Sequence, residues 1–141
     1  PLRDKSPPCV DRIENMTPPP LVLVVEDDKN IREILEFVIS TEGFDVKSAA
    51  DGKSALALIR HGIRPCVVLA DLIMPEMDGW QLIEELGKDR QFDDLPVIVM
   101  TGVAHLGGVE RERPVLRKPF AIEEVIQLIS TVCPSPQAVG L

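Results

Sequence analysis

The sequence predicts an α/β protein in which helices cover both faces of a five-stranded parallel sheet. Short segments rich in Val, Ile and Leu alternate with longer amphipathic segments along most of the chain. The three most apolar segments are residues 21–25, 66–70 and 96–100, and such short apolar runs suit strands that are buried on both faces. Residues 45–49 and 114–117 are more polar or shorter, which suits the edges of a sheet. Strands that alternate with helices indicate parallel pairing through right-handed crossovers.

The segments between the strands carry the helical period. The first predicted helix begins at a cap, Asn30, and stops near Gly43. Its apolar residues recur at i, i+3, i+4, i+7 and i+8, and they are Ile31, Ile34, Leu35, Val38 and Ile39. The same period follows Gly52 and Gly79 and returns from Ile122 onward, which predicts three further helices.

The segment between the fourth and fifth strands is too short for an ordinary helix. Only thirteen residues, GVAHLGGVERERP, separate Thr101 from Val115, and two loops must be taken from them. Gly107 and Gly108 each cost about 1 kcal/mol inside a helix. We therefore expect the fourth helix to be short, distorted or absent.

Composition and proline content predict one folded domain between two tails. The chain has 141 residues, of which 45% are hydrophobic, and this size suits a single domain. Residues 1–20 hold six of the thirteen prolines without apolar periodicity, so we expect a disordered leader. Residues 21–133 form the predicted domain, and residues 134–141 form a flexible tail.

The net charge, the absence of targeting segments and the cysteine spacing indicate which partners, location and cysteine roles to expect. The net charge is −8, which favours protein partners and argues against nucleic acid and anionic membranes as partners. We find no membrane span or signal peptide, so we expect a cytoplasmic protein. Three cysteines stand at spacings that match neither a metal site nor a disulfide framework, and we expect Cys66 simply to be buried.

Polar residues follow several of the predicted strands. They are Glu26, Asp27, Asp71, Thr101 and Lys118. In a parallel sheet of this kind, ligands bind outside the carboxyl ends of the strands, where the strand order reverses. The carboxylates suit Mg²⁺, which prefers oxygen ligands. An Asp carboxylate could then attack phosphorus while the metal ion and the lysine neutralise the developing negative charge.

Four separated motifs in this order, VVEDD, DLIMPEMDG, MTG and RKPF, closely resemble the receiver domain of two-component response regulators. The resemblance covers roughly residues 21–133. It implies a flavodoxin-like, doubly wound sheet with strand order 2-1-3-4-5. It also implies a signalling module and not an enzyme, which receives a phosphoryl group from a sensor histidine kinase or a phosphotransfer protein and then switches a downstream protein effector.

The resemblance also implies roles for individual residues. Asp71 becomes the phosphoacceptor, and Thr101 and Lys118 become the hydroxyl and the lysine that respond to phosphorylation. The implied cofactor is Mg²⁺, with Glu26, Asp27, Asp71 and the backbone carbonyl of Ile73 as its ligands. Asp28 stands one position past this pocket, and we expect it to face solvent near the start of the first helix.

The sequence departs from the family pattern in two places. Receivers commonly pass the signal through an aromatic residue on the fifth strand, but Val115 stands at that position and the chain has no Tyr. We therefore expect a different output surface or a shifted loop. Family knowledge places Ile73 and Val103 near the path of the hydrolytic water. Because both side chains are apolar, we expect a slowly hydrolysed phosphoaspartate.

Two other functions compete with the phosphorylated receiver. A pseudoreceiver would take no phosphate and serve as a constitutive docking module, although the intact acid, hydroxyl and lysine set argues against this. A phosphatase of the haloacid dehalogenase type also uses an Asp nucleophile and Mg²⁺, but its DxD motif would need an acid where Ile73 stands. The sequence leaves open whether this receiver is a stand-alone regulator or part of a hybrid kinase.

Overall fold

A computed structural model describes residues 19–103 and 106–133, and within them five strands form one parallel sheet. The strands are β1 (Leu21–Val25), β2 (Asp45–Ala49), β3 (Val67–Asp71), β4 (Val97–Thr101) and β5 (Val115–Arg117). Their order across the sheet is β2-β1-β3-β4-β5. This confirms the predicted flavodoxin-like α/β fold. Most of the predicted leader and all of the predicted tail lie outside the described residues.

Four α-helices are present in the described ranges. They are α1 (Lys29–Thr41), α2 (Gly52–Arg60), α3 (Gly79–Gly87) and α4 (Ile122–Val132). Between β4 and β5 the described residues form only one 3₁₀ turn, Val109–Arg111, which follows Gly107 and Gly108 in left-handed conformations. The prediction that the usual fourth helix is degenerate is confirmed, so α4 occupies the place of the fifth helix in the family pattern.

The strands divide the core into two layers because successive side chains of a strand point to opposite faces of the sheet. Leu23 and Val25 of β1 belong to the cluster that includes the buried residues of α2 and α3. Val22 and Val24 belong to the cluster that includes the buried residues of α1 and α4. All four side chains are completely buried. This burial on both faces explains why β1 appears in the sequence as an unbroken apolar run.

The start of α1 differs from the prediction. Asp28, not Asn30, is the N-cap, and its Oδ1 accepts hydrogen bonds from the backbone N–H groups of Asn30 and Ile31 at 2.9 and 3.3 Å. Asp is an equally good cap, because its carboxylate satisfies the free N–H groups of the first turn and complements the helix dipole. Asp28 is exposed, as predicted, and it has a structural role in starting the helix.

The expectation for the cysteines was also wrong. Cys66 and Cys133 form a disulfide bond, with their Cα atoms 6.0 Å apart. They are 67 residues apart in the chain, and the fold brings the residue before β3 next to the residue that ends α4. Their proximity depends on tertiary packing, which no local spacing rule reports.

Among the residues that the structure describes, none of the helices combines the length and the apolar character needed to cross a bilayer.

Candidate functional site

The register of the sheet brings the predicted site residues to one edge. Val25 of β1 is paired with Ala70 of β3, and Asp71 is paired with Met100 of β4. Glu26, Asp71 and Thr101 therefore lie at neighbouring strand ends, at the carboxyl edge of the sheet. All three are buried. Buried polar groups of this kind need partners, because an unpaired charge in the protein interior is costly.

Lys118 supplies the partner for two of these groups. It follows β5, and its backbone N–H donates to the carbonyl of Thr101 at 2.8 Å. Its ammonium Nζ lies 2.7 Å from Asp71 Oδ2 and 2.8 Å from Glu26 Oε1. One cation thus bridges two buried carboxylates that come from different strands. The prediction that these three residues meet at one edge agrees with this geometry.

The electrostatics of this cluster follow from burial and pairing. Burial raises the pKa of Glu26, the charge of Asp71 raises it further, and the hydrogen bonds from Lys118 and the Asp28 backbone only partly offset this. For Lys118, burial lowers the pKa, but the hydrogen bonds and charges of Asp71 and Glu26 outweigh it and raise the pKa above the ordinary lysine value. The ammonium is therefore held firmly in its charged form.

Backbone contacts hold the acidic side chains in place. Asp71 Oδ1 accepts a hydrogen bond from the backbone N–H of Ile73 at 3.1 Å. Glu26 Oε2 accepts one from the backbone N–H of Asp28, also at 3.1 Å. Each carboxylate therefore contacts the ammonium with one oxygen and its own loop with the other, which restricts how the side chain can rotate.

Arg32 is a residue of this region that the sequence reasoning missed. Its guanidinium Nη1 donates to the backbone carbonyl of Glu26 at 2.8 Å, so α1 fastens the loop that presents Glu26 and Asp27. The signal was available in principle, because Arg32 stands four residues after the cap Asp28, one turn into the helix. The contact with the Glu26 carbonyl depends on the conformation of the Arg32 side chain, which cannot be predicted from the sequence pattern.

Thr101 lies at the end of β4 with no exposed surface. Its Oγ1 accepts a hydrogen bond from the backbone N–H of Val103 at 3.0 Å. A hydroxyl that accepts in this way keeps its own proton for donation to another acceptor. Thr101 is thus positioned to donate to an oxygen at the same edge of the sheet.

Three acidic residues at this edge fit a divalent cation. Glu26, Asp27 and Asp71 each present a carboxylate oxygen, and these oxygens lie within 4.8 Å of one another. Asp27 is exposed, whereas the other two are buried. Hard oxygen donors at one partly open position suit Mg²⁺, which keeps several water molecules in its coordination shell. The predicted fourth ligand, the Ile73 carbonyl, remains a prediction.

Close packing fixes the backbone around Asp71. A Cβ atom placed on Gly79, the first residue of α3, would lie 2.5 Å from the carbonyl oxygen of Asp71 and 2.9 Å from Leu72 Cα. The Gly79 N–H donates to the Leu72 carbonyl at 3.1 Å. The loop after β3 therefore returns directly against the strand end, and a glycine is needed at that contact.

Comparison with known proteins gives a consistent set of relatives. The chain is 39% identical over 116 residues to the response regulator MprA of Mycolicibacterium vanbaalenii, covering 77% of this chain and 48% of that protein. It is 29% identical over 112 residues to the DNA-binding dual master transcriptional regulator RpaA of Synechocystis sp., covering 76% of this chain and 46% of RpaA. The chain thus spans about half the length of each of these two relatives.

These relatives correct one prediction. The acidic composition led us to expect no nucleic acid among the partners, but RpaA is named as a DNA-binding regulator, and the expectation was wrong. Its physical basis was too narrow, because a net charge of −8 describes only the surface of this chain. More than half of RpaA lies outside the matched region, and the charge of one part of a protein does not exclude a function of another part.

The structure and a family profile agree with these relatives. The fold superimposes on a putative response regulator from Chloroflexus aurantiacus with a TM-score of 0.74 at 28% identity, covering 81% of this chain and 97% of that one. The profile of the response regulator receiver domain matches residues 22–130. Receiver domains are signalling modules and not classical enzymes. The chain belongs to the response regulator receiver domain family.

Proposed function

We propose that Asp71 accepts a phosphoryl group from a phosphohistidine of a sensor histidine kinase or a phosphotransfer protein. The observation that carries this proposal is the position of Lys118, whose ammonium lies 2.7 Å from Asp71 Oδ2. A carboxylate at a strand end, next to a fixed cation and a hydroxyl donor, has what phosphoryl transfer requires. Transfer forms a bond between phosphorus and an Asp71 oxygen and breaks the bond between phosphorus and the histidine nitrogen, which keeps the electron pair.

Mg²⁺ is the cofactor that we propose for this reaction. Glu26, Asp27 and Asp71 would hold it, together with the carbonyl of Ile73. The bound ion would neutralise negative charge on the transferring oxygens. This explains why three carboxylates are grouped at one edge despite their mutual repulsion.

The residues around Asp71 would each stabilise the phosphorylated state in a different way. Lys118 already contacts Asp71 and would form an ion pair with the phosphoryl group once it is attached. Thr101 would donate its hydroxyl proton to a phosphoryl oxygen. The loop after β4 would move with Thr101, because the Val103 N–H is bonded to the same hydroxyl oxygen.

We expect the signal to be transmitted through a different part of the domain than in most receivers. Val115 replaces the usual aromatic residue of the fifth strand, and a 3₁₀ turn replaces the fourth helix. We propose that movement of the loop between β4 and β5 carries the signal to the output partner. The name of RpaA supports control of transcription as one output class for a protein that carries this domain.

We infer a cytoplasmic location, because histidine kinases form their phosphohistidine from cytoplasmic ATP.

The competing candidate is a pseudoreceiver that docks constitutively. The complete set of Asp71, Lys118 and Thr101 favours the phosphorylated receiver, since a docking module has no need for a buried carboxylate beside an ammonium.

Intact-mass measurement tests the proposal. The protein is incubated with acetyl phosphate, with and without Mg²⁺, and compared with the variants Asp71→Asn and Asp28→Ser. Asp28→Ser is the matched control, because it removes a neighbouring acid and keeps a good N-cap. We expect one phosphoryl adduct that requires Mg²⁺, survives in the control and disappears in Asp71→Asn. An adduct in Asp71→Asn, or none in the wild type, would overturn the proposal.

A further inference from the structure

The disulfide between Cys66 and Cys133 lies far from the phosphoacceptor. Cys66 directly precedes β3, whereas Asp71 is the last residue of that strand. Five residues of extended chain span about 17 Å, so the two positions lie at opposite ends of the sheet. The disulfide has no part in the chemistry at Asp71, and it needs an explanation of its own.

Backbone hydrogen bonds that do not involve the S–S bond fix each cysteine within its own part of the fold. The Cys66 N–H donates to the Leu21 carbonyl at 2.8 Å, which ties it to β1. The Cys133 N–H donates to the Ile129 carbonyl at 2.7 Å, at the end of α4. Their Cα separation of 6.0 Å lies within the usual range for cystines. Two thiols placed in this way can re-form the bond readily after reduction.

Cys66 is the more accessible of the two cysteines. Cys133 is buried, but Cys66 is only half-buried and lines an open cavity of about 580 Å³. Lys47, an exposed residue of β2, and Arg64, whose guanidinium donates to the Ile59 and Ile63 carbonyls, also line this cavity, together with Asp45. A cationic surrounding favours an approaching thiolate and stabilises a thiolate that leaves.

We propose that Cys66 and Cys133 form a thiol–disulfide exchange site that takes a dithiol reductant through the cavity beside Cys66. In a cytoplasmic protein, a disulfide is usually a reversible, redox-responsive pair and not a permanent staple. A thiolate of the dithiol attacks Cys66 Sγ, and the Cys66–Cys133 bond breaks as Cys133 leaves with the electron pair and takes a proton. The second thiol of the reductant then displaces Cys66, which leaves two protein thiols and one reductant disulfide.

Thiol–disulfide exchange at this site would change how firmly α4 is held against the sheet. The disulfide ties the C-terminal end of α4 to the start of β3, and Cys133 packs in the same core cluster as Val125 and Ile129. Breaking the bond removes that tie while the backbone at Asp71 stays in place. Reduction therefore loosens the last helix without removing the phosphoacceptor site.

Thiol counting in the full chain tests the exchange itself. The variant Cys9→Ser leaves two cysteines and is equilibrated under native conditions with different ratios of reduced and oxidised dithiothreitol. It is then quenched and alkylated with N-ethylmaleimide in denaturant. We expect the intact mass to show no adduct at the oxidised end, two at the reduced end, and none again after reoxidation. If no adduct forms at any ratio, and reduction occurs only when urea is present during the equilibration, the disulfide is purely structural. If two adducts form at every ratio, there is no disulfide. Either result overturns the proposal.

Hydrogen exchange tests the consequence for α4. We expect the amides of residues 122–132 to exchange at least about tenfold faster after reduction, and the double variant Cys66→Ser with Cys133→Ser to exchange fast without responding to dithiothreitol. Unchanged protection after reduction would overturn the effect on the helix. Neither readout uses Asp71, so a failure to phosphorylate Asp71 would count against the proposed function and leave the thiol result intact.

Discussion

The ammonium of Lys118 lies 2.7 Å from Asp71 Oδ2, although 47 residues separate them in the chain. The same nitrogen lies 2.8 Å from Glu26 Oε1, so one cation balances two carboxylates that are both buried. Only 22% of the lysine side chain is exposed. The stability of this edge of the sheet therefore depends on Lys118 as long as no metal ion is bound.

Replacing Lys118 with Met should destabilise the metal-free protein by about 3 kcal/mol, because two buried carboxylates lose their shared counter-charge. Urea unfolding at neutral pH measures this loss, and added Mg²⁺ should restore part of it. Lys88→Met is the matched control, since Lys88 pairs with Glu85 on the surface of the protein and its loss should not be resolved. Equal stability of the two variants would contradict the argument.

Mg²⁺ should stabilise the folded protein through Asp27. A ligand that binds only the folded state at 100 times its Kd adds about 2.7 kcal/mol to the free energy of unfolding. Asp27→Asn removes the charge of one exposed ligand, and we expect Mg²⁺ affinity to fall at least about tenfold, because the loss of a group that merely supports a ligand already costs about that much. Titration followed by the fluorescence of Trp80, the single tryptophan, measures this. Asp28→Ser should bind Mg²⁺ like the wild type, and an equal loss in that control would refute the assignment.

The close contact at Gly79 predicts a difference between two glycines of α3. Gly79→Ala should destabilise the protein by about 2 kcal/mol, because its Cβ would lie 2.5 Å from the Asp71 carbonyl oxygen. Gly87→Ala should be neutral or stabilising by up to about 1 kcal/mol, because a Cβ there meets nothing within 4 Å. Thermal or urea unfolding compares them, and the prediction fails if both substitutions have the same effect.

Phosphorylated Asp71 should lose its phosphoryl group over hours and not seconds. Ile73 is 52% exposed beside the site, and neither Ile73 nor Val103 carries a polar group that could orient an attacking water. Ile73→Asn should therefore shorten the half-life of the adduct, which mass spectrometry follows after removal of the phosphodonor. Ile34→Asn, at a similarly exposed isoleucine of α1, is the control. A wild-type half-life of seconds would show that the apolar pair does not restrain hydrolysis.

The sequence by itself determined the alternation of strands and helices, and its resemblance to receiver domains supplied the strand order. The apolar runs identified β1, β3 and β4, because strands that are covered by helices on both faces consist almost entirely of apolar residues. Once those strands were placed, Glu26, Asp71 and Thr101 had to share one edge, since parallel strands end on the same side of the sheet. The short segment before Val115 also made the missing fourth helix predictable, because thirteen residues cannot hold two loops and a full helix.

Only the tertiary structure decided which side chains contact one another. The bridge from Lys118 to both Glu26 and Asp71, the bond from Arg32 to the Glu26 carbonyl, and the disulfide between Cys66 and Cys133 all join different elements. Local periodicity reports which face of a helix or strand is buried and carries no information about distance between elements. Such contacts depend on how whole elements pack, and that packing is a property of the folded chain.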